Sequence, residues 1–359
     1  MPNRHYYGLI LAGGRGTRFW PRSRKRSAKQ VLNVIGERSL IQATVDRLSP
    51  VIAPERLWVL TSHELRATIV QQLPEIPKDQ ILAEPLQRNT APAIGLAARI
   101  LGGIDPQALM GVFPADHVIG DLASYRKVLH AAFRGAQADR LMVVGIQPRW
   151  PETGYGYIEF PRGTKAGGSE AITVRNFHEK PPLLKAKRYL RAGHFYWNSG
   201  MFFWKAEALL EALRQHLPRT ATILAALPKF GGRKFAAALD EAYRLCENIS
   251  IDFAVMEKAG NVSGIPAVDF GWSDVGSWNA VYELLPRDGS GNAVAFESIC
   301  LDAEGNFVDA RGKLVALVGV NNLIVVDTPD ALLIADRARA QQVGEVVKEL
   351  EKQQRHDLL

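Results

Sequence analysis

The chain has 359 residues, 47% of them apolar and 23% charged, which is ordinary for a soluble globular protein and enough for one large domain with a smaller one. No apolar run approaches the ~20 residues that span a bilayer, and the first apolar stretch is brief and ends in Gly-Gly rather than in a signal-peptide pattern. The net charge of +7 raises nucleic acid as a partner, but no RNA- or DNA-reading motif accompanies it, so a small polyanionic substrate is the stronger explanation.

In chain order, an apolar strand over Gly8–Ala12 runs into Gly13-Gly14-Arg15-Gly16-Thr17-Arg18. Three glycines in four positions remove the side chains that keep a ligand off the backbone, so N–H groups can converge on phosphate oxygens. From Arg18 to Lys29 there are six basic residues (Arg18, Arg22, Arg24, Lys25, Arg26, Lys29) and no acidic one. A loop of this kind suits a polyphosphate. Neither G-x-x-x-x-G-K-[ST] nor G-x-G-x-x-G is present, because Phe19 stands where the second pattern needs its last glycine.

Ser39 caps a helix through Leu48. Leu57–Leu60 reads as a strand, His63–Leu73 as a helix, Ile81–Ala83 as a strand, Thr90–Leu101 as a helix capped by Thr90, and Leu109–Phe113 as a strand. Tyr125–Ala138 follows as a helix and Leu141–Gly145 as a strand. Such alternation predicts an α/β fold with a mostly parallel sheet and ligands at the carboxyl ends of its strands. The polar strings fall at those ends: Glu84-Pro85 with Arg88-Asn89-Thr90, then Pro114-Ala115-Asp116-His117. Each also suits a cap or turn.

Beyond residue 150 the strand Gly154–Glu159 carries glycines that permit close ligand approach. Ile172–Phe177 is a strand leading to His178-Glu179-Lys180-Pro181, and Lys185–Arg191 a helix. Phe195–Trp204 is aromatic core with Asn198 as a buried amide in need of partners. Glu207–Leu245 is largely helical with a break near Gly231-Gly232, and Ser250–Lys258 is a further helix. Gly271-Trp272-Ser273-Asp274-Val275-Gly276-Ser277-Trp278 follows. Ser298–Leu301, Leu314–Val318, Leu323–Val326 and Ala331–Ile334 predict a small all-β element. A terminal helix spans about Arg337–Gln353 and packs on its own chain or on a second subunit. Cys246 and Cys300 have neither metal spacing nor a disulfide framework and read as buried thiols in a reducing cytoplasm.

The loop resembles the signature of the sugar-nucleotide pyrophosphorylases, nucleotidyltransferases that join a sugar 1-phosphate to a nucleoside triphosphate. Pro21 and Lys29-Gln30-Val31-Leu32 fit that signature, while Ala28 replaces its usual proline. Glu84-Pro-x-x-Arg-Asn-Thr-Ala-Pro-Ala resembles the guanylyl branch, and the Glu179-Lys180-Pro181, Trp197-Asn198-Ser199-Gly200 and Trp272-x-Asp274-x-Gly276-Ser277-Trp278 strings match in order. The resemblance spans roughly residues 6–336. It implies a Rossmann-like, GT-A-like fold, a mixed, mostly parallel sheet with helices on both faces. That catalytic domain would cover 1–287, and 288–359 a small β-rich domain, with a left-handed β-helix as one form of it.

The resemblance also implies GTP and mannose 1-phosphate as substrates, with GDP-mannose and diphosphate as products and Mg²⁺ as cofactor. Leu11, Ala12, Gly13, Gly14, Gly16, Thr17, Glu84, Arg88, Asn89 and Thr90 would bind the nucleotide. Glu84 is matched to the two adjacent donors of guanine. Arg15 and Lys29 would face the triphosphate and Lys180 the attacking phosphate. Gly156, Glu179 and Asn198 would hold the sugar phosphate, and Asp116 and Asp274 the metal. The rival readings are a thymidylyl- or adenylyltransferase acting on glucose 1-phosphate and a non-catalytic GDP-mannose-binding subunit. With His356 the sole histidine past His216, no imidazole metal cluster for an appended isomerase is expected.

Overall fold

The computed structural model describes residues 3–294 and 297–359. β1 (Tyr6–Ala12) is buried along almost its whole length, as a strand covered on both faces must be. α1 (Leu40–Leu48) starts at a capping box in which Ser39 Oγ accepts from the Gln42 N–H and Gln42 Oε1 accepts from the Ser39 N–H. The alternation continues through β2 (Leu57–Ser62), α2 (His63–Gln72), β3 (Ile81–Glu84), α3 (Thr90–Ile104), β4 (Leu109–Pro114), α4 (Leu122–Ala136) and β5 (Leu141–Ile146). Asn89, at φ 64°, caps α3 through its side chain, so the cap is one residue earlier than the expected Thr90.

The second half adds β6 (Tyr157–Glu159), β7 (Ile172–Thr173), β8 (Asn176–His178), α5 (Leu183–Ala192), β9 (Phe195–Lys205), α6 (Ala206–His216), α7 (Pro218–Ala225), α8 (Phe235–Leu245), β10 (Val262–Pro266) and α9 (Trp278–Leu284). The expected helix at Ser250–Lys258 is instead a π-helical turn over Asp252–Met256, and the expected strand at Gly154 begins only at Tyr157.

The main sheet runs β3-β2-β1-β4-β9-β5-β10-β7, with β6 on β9 and β8 on β6. β1, β2, β3 and β4 are parallel to one another, as are β5 and β10, while β9 lies antiparallel between β4 and β5. The mixed, mostly parallel sheet of the α/β reading is thus present. Alternate side chains feed two layers. Ile10 packs with Val59, Phe113 and Val144 on the α1, α2 and α4 side. Leu9 packs with Trp58, Met110 and Val112 on the α3, α6 and α8 side. Chain order reverses around β1, and the carboxyl ends of β1, β3 and β4 open at that switch point.

The C-terminal part contains β11 (Ala293–Val294), β12 (Ser298–Leu301), β13 (Phe307–Asp309), β14 (Val315–Val318), β15 (Leu323–Asp327), β16 (Leu332–Asp336) and α10 (Val343–Lys352). β11, β13 and β15 stack in parallel, and β12 and β14 form a second parallel face, so the backbone coils through successive rungs. The buried side chains of Asn292 and Asn306 tie the rungs together. Asn292 Oδ1 accepts from the Asn306 N–H and Asn306 Oδ1 from the Leu323 N–H. Val343 and Val347 of α10 are buried with Phe19, Trp20, Leu40, Trp278 and Phe307, so the last helix packs on its own chain. That core crosses the expected division at residue 287. Among the described residues no helix is long and apolar enough to cross a membrane. Cys246 is buried, but Cys300 is only half-buried on β12, which corrects the expectation of two buried thiols.

Candidate active site

The glycine turn after β1 is held by its carbonyl groups. Gln30 Nε2 donates to the Ala12 and Gly14 carbonyls, Thr61 Oγ1 to Ala12 and Gln87 Nε2 to Gly13. Gly16, at φ 60°, lies so close to Lys29 that an added Cβ would sit 2.6 Å from the lysine Cβ, so only glycine fits there. Two cavities meet at this turn and share Gly13, Gly14 and Glu84 in their walls.

The larger, about 650 Å³, is lined by Leu11, Gly13, Gly14, Glu84, Arg88, Asn89, Thr90, Gly156, Glu179, Lys180, Asn198 and Asp274 among the expected site residues. The smaller, about 400 Å³, has Arg15 and Thr17 in its wall together with Val347 and Leu359 from the C-terminal part. Ala12, Gly16, Lys29 and Asp116 line neither cavity.

Lys29, expected to face the triphosphate, donates to Asp116 Oδ2 at 2.7 Å and to the Asp274 carbonyl at 2.6 Å, with 6% of its side chain exposed. It therefore brings the ends of β4 and of the Trp272–Trp278 segment together. Burial pushes the Asp116 carboxyl up, but the Lys29 charge and hydrogen bond, with His117 and a backbone N–H, together outweigh this and hold it below the usual carboxylate range. Asp274 Oδ1 accepts from the Tyr155 hydroxyl at 2.6 Å. The Tyr155 ring stands edge-on to Trp197 and Trp272, and Trp272 Nε1 donates to His117 Nδ1. Burial pushes His117 down to about 4, so the imidazole is neutral near pH 7.

The basic run is corrected as well. Arg22 pairs with Asp309 at 2.8 Å, Arg24 with Asp330 at 2.9 Å, and Arg18 donates to Gln341, so these cations dock the C-terminal part rather than a phosphate. Arg15 reaches Glu351 of α10 at 2.7 Å through an exposed pair. Arg88 donates to the Tyr243 and Arg244 carbonyls at the end of α8, and Thr90 Oγ1 accepts from the Ile251 N–H, so both also fix backbone.

Burial raises the Glu84 carboxyl to about 7. Its Oε1 and the Tyr243 hydroxyl are buried near each other, and neither makes a hydrogen bond of good geometry. At the opposite end Glu179 Oε2 is likewise buried and unpartnered, and an added Cβ on Gly156 would come within 2.5 Å of it. Lys180, at φ 44°, reaches Glu179 Oε1 at 3.0 Å and stays exposed. The register of β9 on β5 breaks between Val143 and Gly145, opposite Asn198, and such a break re-aims a side chain. Asn198 Oδ1 accepts from the Gly200 N–H while its Nδ2 donates to Asp252.

Asp252, Tyr155 and Trp272 line the larger cavity and were missed in the sequence reading. One signal was available: Asp252 and Glu257 are five apart, a spacing that faces one side in a π turn but not in an α-helix. Among the described residues no three His, Cys, Asp or Glu side chains cluster as a metal cage.

Residues 7–290 match the family model for nucleotidyl transferase, and residues 297–350 match that for the MannoseP isomerase/GMP-like beta-helix domain. The xanthan biosynthesis protein XanB of Xanthomonas campestris pv. campestris (strain B100) is 41% identical over 349 residues, covering 95% of this chain and 72% of that protein. The mannose-1-phosphate guanylyltransferase of Escherichia coli (strain K12) is 39% identical over 369 residues, covering 99% and 76%. A crystal structure described as mannose-1-phosphate geranyltransferase from Thermus thermophilus superposes with a TM-score of 0.85 at 34% identity, covering 97% of this chain and 99% of that one.

Proposed function

The chain belongs to the nucleotidyl transferase family, and on that footing we propose that it is a mannose-1-phosphate guanylyltransferase, converting GTP and mannose 1-phosphate to GDP-mannose and diphosphate. One observation carries the reading: a single cleft runs from the glycine turn and Glu84 to Glu179, Lys180 and Asn198, with Asp274 in its wall. Glu84 offers acceptors to guanine, whose N1–H and 2-amino group are adjacent donors. Asn89 and Thr90 line the same end, and Glu179, Asn198 and Gly156 receive the sugar.

The sugar phosphate is already an anion, so attack on the α-phosphorus needs no general base; the task is to bring two polyanions into line. Lys180 holds the attacking phosphate. Arg15 faces the triphosphate from the smaller cavity, with the Gly13 and Gly14 amides between them. Lys29 acts at one remove by keeping Asp116 ionised and close to the Asp274 backbone.

Asp116 and Asp274 fit a hard divalent cation. Both are oxygen donors, Asp116 is held ionised, and a pair of carboxylates with water and phosphate completing the shell is the habit of Mg²⁺. Bound there, Mg²⁺ supplies positive charge to phosphate oxygens. GTP and mannose 1-phosphate are the partners proposed, with neither nucleic acid nor membrane involved, a cytoplasmic location and a homodimeric assembly. A panel of nucleoside triphosphates against a panel of sugar 1-phosphates, read by diphosphate release with and without a chelator, tests the proposal. Preference for another pair, or turnover indifferent to chelation, overturns it.

A further inference from the structure

The π turn over Asp252–Met256 touches both sugar-side strings. Asp252 Oδ1 accepts from Asn198 Nδ2 at 2.9 Å, and Glu257 Oε1 accepts from the Glu179 N–H at 3.1 Å. The Glu257 N–H in turn donates to the Asp252 carbonyl, which locks the two contacts to each other. The residues just before the turn are tied to the start of α3, where Ile251 N–H donates to Thr90 Oγ1 and Ala91 N–H to the Ile249 carbonyl. π turns are frequent at functional sites.

Asn198 is thereby fixed on both sides, with its carbonyl oxygen on Gly200 N–H and one amide hydrogen on Asp252. Its second amide hydrogen is left for the cavity, whose wall also contains Asp252 itself. Glu179 Oε2 stands unpartnered in the same wall. This group of acceptors and one donor, in the same wall as Lys180, suits a polyol, whose hydroxyls each donate and accept.

We propose that Asp252 is a specificity-determining residue of the sugar subsite, holding Asn198 with one carboxylate oxygen and accepting from one hydroxyl of the sugar phosphate with the other. This rests on the functional reading above. Burial first, and then the neighbouring Glu179, push the Asp252 carboxyl up to about 6, with Lys180 and Asn198 opposing them. A buried acceptor in that condition gains from a hydroxyl donor. A site that expects a hydroxyl discriminates against an analogue lacking it, because its own polar atoms are then left unpaired.

The test measures kcat and KM of the wild-type enzyme and of Asp252→Ala with GTP and mannose 1-phosphate, then with its 2-, 3-, 4- and 6-deoxy analogues. Asp252→Ser replaces the alanine variant if that one does not fold. The expected result is a KM for mannose 1-phosphate raised at least tenfold, with the KM for GTP within twofold of wild type. For one deoxy analogue the fall in kcat/KM from wild type to variant should be clearly smaller than for mannose 1-phosphate, since the hydroxyl contact is already missing and only the hold on Asn198 is lost. A variant that loses the same factor on every analogue, or whose two KM values rise together, overturns the assignment and leaves Asp252 a merely structural residue. If the wild-type enzyme does not use mannose 1-phosphate at all, the functional reading fails instead, and that outcome is visible before any variant is made.

Discussion

At the loop end of the cleft Arg15, Arg22, Arg24 and Lys29 each already hold a carboxylate, whereas at the sugar end Glu179 Oε2 is buried with no partner and Asp252 is held near 6. The first end is assembled by tertiary docking: three of those four arginine and lysine partners, Asp309, Asp330 and Glu351, come from the C-terminal part. The second is assembled by short contacts among β9, the segment after β8 and the π turn. The difference shows two ways of readying a site for a polar ligand. Charge can be stored in ion pairs until an anion competes for it. Directional acceptors cannot be stored that way; they must be held open by packing. Within the loop end the pairs also differ. Arg15 and Glu351 are 46% and 41% exposed, so their pair is weak and exchangeable, while Arg22–Asp309, at 13% and 8%, is structural.

The largest effect should come from the carboxylates between the two ends. Asp274→Ala is expected to lower kcat by about 10²–10³, by analogy with removal of an electrostatic group from a preorganised site. Diphosphate release, with circular dichroism as the folding control, checks it; normal turnover by a folded variant would remove Asp274 from the metal site. Next, Arg22→Ala leaves the buried Asp309 with only the longer 3.7 Å contact to Arg311, for a loss of up to about 3 kcal/mol of stability. Its melting temperature should fall clearly, and an unchanged one would mean that docking of the C-terminal part does not depend on this pair.

Glu84 gives a pH signature. Its folded pKa of about 7 lies above the ordinary value of 4.5, so the native state binds the extra proton and stability falls as pH rises from 4.5 to about 7. Guanine donors favour the ionised form, so the KM for GTP should fall as pH rises through about 7. Glu84→Gln should flatten both curves; persistence of the GTP profile in that variant would place the titrating group elsewhere. The smallest change is expected for Glu351→Ala. Stability should barely move, as for other exposed pairs, while freeing Arg15 should lower the KM for GTP by a few-fold. A raised KM would show that Glu351 positions Arg15 instead of competing for it.

Much of the fold was legible because periodicity and caps are local: the Ser39 box and each strand from Leu57 to Gly145 fall within a few residues of expectation. The C-terminal strands were legible for the same reason. Three features were not. The basic run reads as a phosphate cradle because the partners of Arg18, Arg22 and Arg24 lie roughly 300 residues away in sequence and composition carries no information about such pairing. Lys29 fits the motif, yet its burial against Asp116 follows from Gly16 and from the packing of β4, neither of which the motif encodes. Asp252 lay inside a stretch read with the α period, and one inserted residue shifts every side chain beyond it. Sequence strings located the cleft; only packing decided which of their side chains face it.

The pairing of Arg15, in the wall of the smaller cavity, with Glu351 of α10 has a consequence for synthesis. Arg15 leaves the ribosome 336 residues ahead of Glu351, a delay of roughly 17 to 70 s at ordinary elongation rates. Arg22 and Arg24 gain Asp309 and Asp330 sooner, 287 and 306 residues after them, so Arg15 is the last of the three to find its carboxylate. Until α10 emerges, Arg15 meets a medium full of ribosomal RNA without the carboxylate that pairs with it in the folded chain.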